Sequence, residues 1–351
     1  MIKGRLTIGM LIMVFTFFVN SLNAQEAKSY KVACVGFYNL ENLFDTEDDP
    51  AIRDEEYTPD GRKAWDETKY SNKLKNMAHV ISNLGTDVSP DGMAVLGVCE
   101  VENKRVLEDL VKEEKLKGRD YKIVHYDSPD RRGIDVGLLY QEKYFKVKNS
   151  VSYELKFKDF PDYKTRDQLV VTGNMDGEDV SIIVAHWPSR SGGQTASEPR
   201  RIEAAKLGKH IIDSLLTDNP AAKIILMGDL NDDPVNKSVK NYIQAKGKVS
   251  KMKSQDDMYN TMYASYKEGN GTLAWNDAWN LFDQLIISNA LLSEDASSYV
   301  FHKSYVYNKP YMKQTEGRYK GYPKRTHAGG EYLNGYSDHF PVFLVLKKEV
   351  K

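Results

Sequence analysis

KIILMGDLNDDP, residues Lys223 to Pro234, is an apolar run that stops abruptly at Gly228, Asp229, Leu230, Asn231, Asp232 and Asp233. Consecutive apolar positions over so short a length fit a strand that is covered on both faces, as in a parallel sheet. The strand's C-terminal end would deliver Asp229 and Asn231, two residues apart and therefore on one face, into a cleft. A carboxylate and an amide placed there can orient a water and hold an anionic oxygen. Taken alone, the segment reads equally as a strand that ends in an Asx-rich turn. Polar residues at the ends of other strands decide between the two readings.

Upstream, Val180 to Ala185 reads as a strand that ends in His186-Trp187-Pro188-Ser189. A histidine at the end of an Ile/Val strand, stopped by proline, is badly placed for core packing. A helix opening near Ser197 and Pro199 then carries Ala204, Leu207, Ile211 and Leu215 inward. Nearer the start, Lys31 to Tyr38 alternates as a strand and ends at Asn39, while Met93 to Val98 ends at Cys99 and Glu100. Leu74, Met77, Ile81 and Leu84 recur at helical spacing and would cover a sheet. Tyr121 to His125 and Ile134 to Tyr140 read as a strand pair around SPDRRG, whose Arg131 and Arg132 can fork onto a phosphate or stand solvated. Gln168 to Thr172 is a further strand.

Downstream, Asn236 to Tyr266 reads as a helix and loops. Phe282 to Ile287 is strand-like, with Asp283 at its start. The segment from Phe301 to Tyr336 reads as a long loop in which seven tyrosines are mixed with lysines and arginines. Such a mixture either ties down a loop or stacks bases against a bound backbone. Asp338 and His339 then precede a last strand, Val342 to Leu346. The acidic stretch from Asp45 to Trp65, with its prolines and glycine, reads as a solvated surface loop.

The chain has 351 residues, with 41% hydrophobic and 28% charged, an ordinary globular composition. Its first residues differ. Lys3 and Arg5 precede an apolar run from Ile8 to Val19, and Leu22-Asn23-Ala24 has a small-residue cleavage pattern. Residues 1–24 therefore read as a secretory signal peptide, and 25–351 as a single catalytic domain. The run is short for a membrane span, and no lipid-accepting cysteine follows it. A protein free in the periplasm or secreted, without a stable membrane anchor, is expected. Removing 1–24 takes away two cations and no acid, so the net charge of −1 becomes more negative and no broad basic field remains. Cys34 and Cys99 would be offset by about four residues, roughly 13 Å along neighbouring strands, which is too far for a disulfide.

Strands alternating with helices thus end in Asn39, Glu100, His186, Asp229 with Asn231, and Asp338 with His339, while Asp283 introduces another. Oxygen ligands without cysteine suit magnesium or manganese better than zinc. Histidines among carboxylates suit proton transfer or contact with a phosphate oxygen. Phosphoester hydrolysis requires that combination.

In the order FYNLENLF, VCEVEN, RRGIDVGLLY, AHWPSR, GDLND, FDQLIIS and YSDHFPV, the chain resembles the endonuclease/exonuclease/phosphatase superfamily, and most closely its secreted bacterial members. The resemblance spans almost all of the chain after residue 24. It implies an α/β fold, a four-layer αββα sandwich of two face-to-face sheets with outer helices. It implies Glu100 as the principal metal ligand, helped by Asn39 and Asp338, with Mg2+ or Mn2+ bound. Asp229 would orient or deprotonate the attacking water, and Asn231 would hold that water or a phosphate oxygen. His186, and His339 paired with Asp283, would contact the phosphate. The expected activity is an exported phosphodiesterase, foremost a nuclease; a phosphatase or phospholipase C-type hydrolase of a smaller phosphoester, or a non-catalytic binding module on the same fold, are the alternatives. The expected partner is a phosphodiester substrate such as nucleic acid. Two departures stand out. No clear tyrosine matches the one that many DNA-repair members place on the phosphate, and the acidic 45–65 loop would repel a duplex if it bordered the cleft.

Overall fold

The structure, a computed structural model, describes residues 28–350. The segment 1–24, read above as a signal peptide, lies outside the described residues. In chain order the elements are β1 (Tyr30–Leu43), α1 (Glu67–Asn83), β2 (Met93–Val101), α2 (Lys104–Lys112), α3 (Glu114–Lys117), β3 (Tyr121–His125), β4 (Asp135–Gln141), β5 (Lys146–Tyr153), β6 (Gln168–Met175), β7 (Glu178–His186), α4 (Gln194–Asp218) and β8 (Lys223–Asp229). There follow β9 (Ala245–Lys246), β10 (Met258–Asn260), α5 (Tyr263–Lys267), β11 (Leu273–Trp275), β12 (Ala278–Asn280), β13 (Asp283–Ile287), β14 (Val300–Val306), β15 (His327–Ala328), β16 (Glu331–Tyr332) and β17 (Val342–Glu349).

Two large mixed sheets carry the fold. One runs β14-β17-β1-β2-β4-β3, the other β5-β6-β7-β8-β13-β10-β9. They lie face to face, with β4 over β6 and β7, β2 over β7 and β8, β1 over β8 and β13, and β17 over β13. The opening stretch shows why. In β8, Ile225 and Met227 enter the core between the sheets with Val35, Phe37, Val95 and Leu344. Its alternate residues, Ile224 and Leu226, enter a separate core under α4 with Ile211 and Ile212. A strand with a core on each face must be apolar at every position. A third core seats Met77 and Ile81 of α1 and Leu110 of α2 on Tyr38, Leu96 and Val98. Three cores separate four layers, the αββα sandwich expected.

Several local expectations change. The inward face of α4 is rotated from that expected: Ala204, Ala205, Gly208, Ile211 and Ile212 are buried, whereas Leu207 and Leu215 are only partly so. Asn236 to Tyr266 holds a π-turn at Ser238–Tyr242 and the short strands β9 and β10 before α5. The segment from Phe301 onward is not all loop, because β14 pairs antiparallel with β17 at the edge of the first sheet. The 45–65 segment is not merely solvated: Trp65 is fully buried and donates to Phe44 O, Phe44 stacks on Tyr57, and Asp45 is buried against Arg105. Its acids open onto a depression with Glu102, Asn103 and Asp135, apart from the main cleft. Cys34 and Cys99 are free, as expected, and face different cores. No described helix is long and apolar enough to cross a membrane.

Candidate active site

The strands β7 and β8 run parallel in the register Ala185↔Gly228 and His186↔Asp229. Only glycine fits at 228, since a Cβ there would lie 2.0 Å from the Ala185 carbonyl oxygen. This close approach places His186 beside Asp229, with Nε2 3.6 Å from Asp229 Oδ2 and 3.9 Å from Glu100 Oε1. From the other flank, β13 pairs Asp283 with Asp229. His339 sits across this pair, its Nδ1 2.7 Å from Asp283 Oδ2 and its Nε2 3.8 Å from Asp229 Oδ2.

The facing sheet supplies Asn39 from β1 and Glu100 from β2. Asn39 Nδ2 donates to Asp229 Oδ2 at 3.1 Å and to Glu100 Oε1 at 3.4 Å, while its Oδ1 accepts from Glu41 N. Glu100 Oε2 accepts from Asn42 N at 3.0 Å. Ser337 Oγ donates to Asn39 O and accepts from His339 N, which fixes the last loop to β1. Asp338 is held by Arg325 Nη2 at 2.6 Å, and the same guanidinium reaches Glu41 Oε1 from Nε.

Asn231 and Asp229 both line the cleft, as expected, but not by strand parity. β8 ends at Asp229, and Asn231 has φ 49, in the left-handed region. Its amide turns to donate to Trp187 O at 3.0 Å, and its backbone N–H bonds back to Asp229 Oδ1. Glu41, Asn42 and Glu100 also have positive φ, of 49, 52 and 56. Non-glycine residues seldom accept this conformation, and such strain concentrates at functional sites.

Burial sets the charges. It lifts the Asp229 carboxyl to about 7, with Asp283 and Glu100 adding to the shift and His339 opposing it. Burial lowers His186 well below an ordinary imidazole, reinforced by Arg166, Arg132 and His339, so His186 is neutral. For His339 burial pulls downward, but the Asp283 and Asp229 carboxylates outweigh it and hold the ring protonated. One neutral and one cationic imidazole thus flank a carboxyl group able to take a proton near neutral pH.

These groups form the floor of an open cleft of about 950 Å³. One wall holds Arg53, Arg131, Arg132, Lys164 and Arg200, with Arg200 packed over the Tyr163 ring. Beneath it, Arg166 is buried between Asp130 Oδ2 (2.9 Å) and Trp187 O (2.7 Å). Sequence reasoning singled out Arg131 and Arg132 but missed Arg53 and Tyr163, which come from distant loops, and Arg200, which comes from the first turns of α4. It also missed Glu41, whose carboxylate is buried among Arg325, Thr326 N and Lys73. Its position two residues beyond Asn39 was the available signal.

The carboxylates fit a hard cation. Glu100, Asp229, Asp283, Asp338 and Glu41 converge with no thiolate among them, and Asp283 Oδ1 is buried without a hydrogen-bond partner. Among the described residues, ligand atoms of Asp229, Asp283 and His339 lie within 4.8 Å of one another, as do those of His125, Asp127 and Asp135.

The sequence profile of the Endonuclease/Exonuclease/phosphatase family matches residues 34–348. Among solved structures, TDP2 from C. elegans is 16% identical, with a TM-score of 0.54 over 90% of this chain and 75% of that one. An endonuclease/exonuclease/phosphatase family protein from Bacteroides thetaiotaomicron is also 16% identical, with a TM-score of 0.54 over 92% and 98% of the two chains. A mannosyl-6-phosphatase from the same species is 16% identical, with a TM-score of 0.52 over 90% and 99%. At these identities the likeness is one of fold. No curated protein sequence gives a significant match.

Proposed function

Because the chain belongs to the endonuclease/exonuclease/phosphatase family of phosphoester hydrolases, whose enzymes use divalent metals, we propose that it is an exported, divalent-metal-dependent phosphodiesterase that cuts nucleic acid. The observation that carries this reading is the cleft itself. A proton-accepting Asp229 lies between two imidazoles at the foot of a wall that carries Arg53, Arg131, Arg132, Lys164 and Arg200 alongside Asp159 and Asp162.

In the proposed chemistry Asp229 takes the proton of the attacking water, and the Asn231 backbone N–H fixes the carboxylate for that task. His186, neutral, and His339, protonated by Asp283, donate to the phosphate oxygens as negative charge grows there. Glu100, with Asn39 bonded to it and Asp338 coming in from the Arg325 pair, would hold Mg2+ or Mn2+. When bound, the ion supplies Lewis-acid stabilisation of a phosphate oxygen. The wall of Arg131, Arg132 and Arg200 grips flanking phosphates. Export, with residues 1–24 removed, belongs to the same proposal and is tested by N-terminal sequencing of protein recovered outside the cytoplasm.

The test is a substrate panel with magnesium: plasmid DNA, single-stranded DNA, RNA, inositol phosphates, mannose 6-phosphate and sphingomyelin. Cleavage of at least one of the nucleic acids, double- or single-stranded, is expected. Glu100→Gln should lower both activity and magnesium affinity, with partial rescue by excess metal. Turnover of only the phosphomonoesters would replace this reading with a phosphatase. Unchanged metal affinity in the variant would remove Glu100 from the site.

A further inference from the structure

Beyond the basic wall, the cleft has a second side of different character. The basic wall draws Arg131 and Arg132 from the β3–β4 connection and Lys164 from the β5–β6 connection, at one lateral edge of the sandwich, with Arg53 from the β1–α1 loop and Arg200 from α4. At the other edge, the β11–β12 hairpin between β10 and β13 meets the loop between β14 and β17. The catalytic strand ends lie between them. On this far side Trp279 stacks on Phe340, the neighbour of His339, at 6.0 Å and 17°. Tyr322 packs against Trp279 at 5.8 Å, and Tyr319 against Tyr322 at 5.5 Å. Trp275, at the tip of the same hairpin, is 68% exposed, and Tyr319 is 53% exposed. Trp275, Tyr319 and Tyr322 line a cavity of about 270 Å³ that also presents the amides of Asn276 and Gln314 and the Arg325 side chain.

Exposing this much aromatic surface is costly in water, and the residues do not serve the core: Trp275 belongs to none of the three core clusters. The cavity is somewhat smaller than the roughly 300–1,000 Å³ of sites that enclose whole drug-sized ligands, so it suits one ring and its substituents. It shares no lining residue with the cleft but is linked to the reaction site by Arg325, which is bonded to Asp338, and by Trp279, which stacks on Phe340 next to His339. Flat aromatic faces with planar amides and a guanidinium at their margin match a heterocyclic ring, stacked by its face and bonded at its edge.

We propose that the Trp275, Tyr319 and Tyr322 shelf is a subsite for one unpaired nucleobase, adjoining the phosphodiester that is cut. This rests on the phosphodiesterase reading and makes it more specific: phosphates lie along the arginine wall, the adjoining base lies on the shelf, and the substrate is single-stranded at the point of cleavage. A base still within a duplex offers no free face to the shelf.

The chain has four tryptophans, of which Trp65 and Trp187 are fully buried, so intrinsic fluorescence reports on the shelf. Titrating the metal-free, full-length protein with a deoxyadenosine dinucleotide should give saturable quenching, and mannose 6-phosphate should give none. Trp275→Ala and, independently, Tyr319→Ala should each weaken dinucleotide binding about tenfold and lower kcat/KM on a single-stranded oligonucleotide by a similar factor, in line with the stacking of one base. Absence of quenching, equal quenching by mannose 6-phosphate, or single-strand cleavage unchanged in both variants would overturn the proposal. A protein that binds the dinucleotide on the shelf but cleaves no phosphodiester would retain the subsite and refute the assigned reaction; one that cleaves phosphodiesters but ignores both substitutions would do the reverse.

Discussion

His339 and Asp283 should act as one unit, and a double-mutant cycle can show it. The two side chains are buried and joined by a 2.7 Å Nδ1–Oδ2 contact, with His339 Nε2 left facing Asp229 and the cleft. His339→Ala removes the proton donor outright, so kcat should fall by about 10² or more, the usual range for a general acid or base. Asp283→Asn keeps the ring but removes the nearer of the two carboxylates that hold it charged. Its pKa then falls, since burial pulls it down and the Asp229 carboxylate remains the main group opposing, so fewer molecules carry the proton at pH 7. With the loosened orientation, the loss should be on the order of tenfold, smaller than that of His339→Ala.

The sign of the pH effect follows from the same contact. His339 is needed protonated, and its pKa is raised in the wild type, so activity should persist well above pH 7 before falling. In Asp283→Asn the alkaline limb should move to lower pH. The assay is kcat against pH on one phosphodiester for the wild type, the two single variants and the double variant. The double variant should be no worse than His339→Ala. Losses that multiply, or an alkaline limb that stays in place in Asp283→Asn, would refute the coupling.

Two further outcomes are expected. Glu102 is pushed up to about 8, by burial first and then by Asp45 and Asp54, so the folded state takes up a proton and stability from this group is lost as pH rises from about 4.5 through 8; the drop in urea midpoint between pH 5 and 8.5 should be smaller in Glu102→Gln, and an equal drop would refute the shift. Cys34, raised to about 12 by burial, and Cys99, also raised well above an ordinary thiol by burial, should resist alkylation in the native protein; unreduced denatured protein should take two labels, and a mass two units lower with no labelling would show a disulfide.

The two-faced strand β8 was legible because each of its faces meets a core, which demands apolar residues at every position and leaves the first polar residues to mark the cleft. His186 and Asp229 were findable for that reason. Asn231 lies in the cleft with Asp229, as expected, but strand parity is not what puts it there, because parity ends where the backbone turns left-handed and no residue pattern announces that turn. β5 and β14 were missed because edge strands with exposed, Lys- and Tyr-bearing faces lack a strong apolar alternation. The burial of Asp45 depends on Arg105, sixty residues away, and that of Glu41 on Arg325, 284 residues away. Such acids look solvated in sequence because what neutralises them is supplied by tertiary structure. The basic wall was hidden for the same reason, as its cations come from several loops and the start of α4 in a chain that is acidic in total.

That distribution of charge leads to a consequence that can be measured without substrate. Glu41, Glu100, Asp229, Asp283 and Asp338 gather where the two sheets meet, and the neighbouring cations are Lys73, Arg325 and His339. Burial first, then repulsion from Asp338, lifts Glu41 to about 7, and Asp229 is lifted to a similar value. Protein cations therefore leave the cluster with more negative charge than it can stabilise. An ion that binds the folded chain and not the unfolded one stabilises it by about 2.7 kcal/mol at a hundredfold excess over Kd. At the few degrees per kcal/mol typical of large domains, Tm should rise by roughly 5 °C when magnesium or manganese replaces EDTA. Glu100→Gln deletes one of the converging charges, so its Tm in EDTA should equal or exceed that of the wild type, while its gain on adding metal should shrink. If the ion raised both proteins equally, it would be binding elsewhere, with the His125, Asp127 and Asp135 group the place to look, and the charge at this junction would have to be balanced by the phosphate-gripping arginines alone.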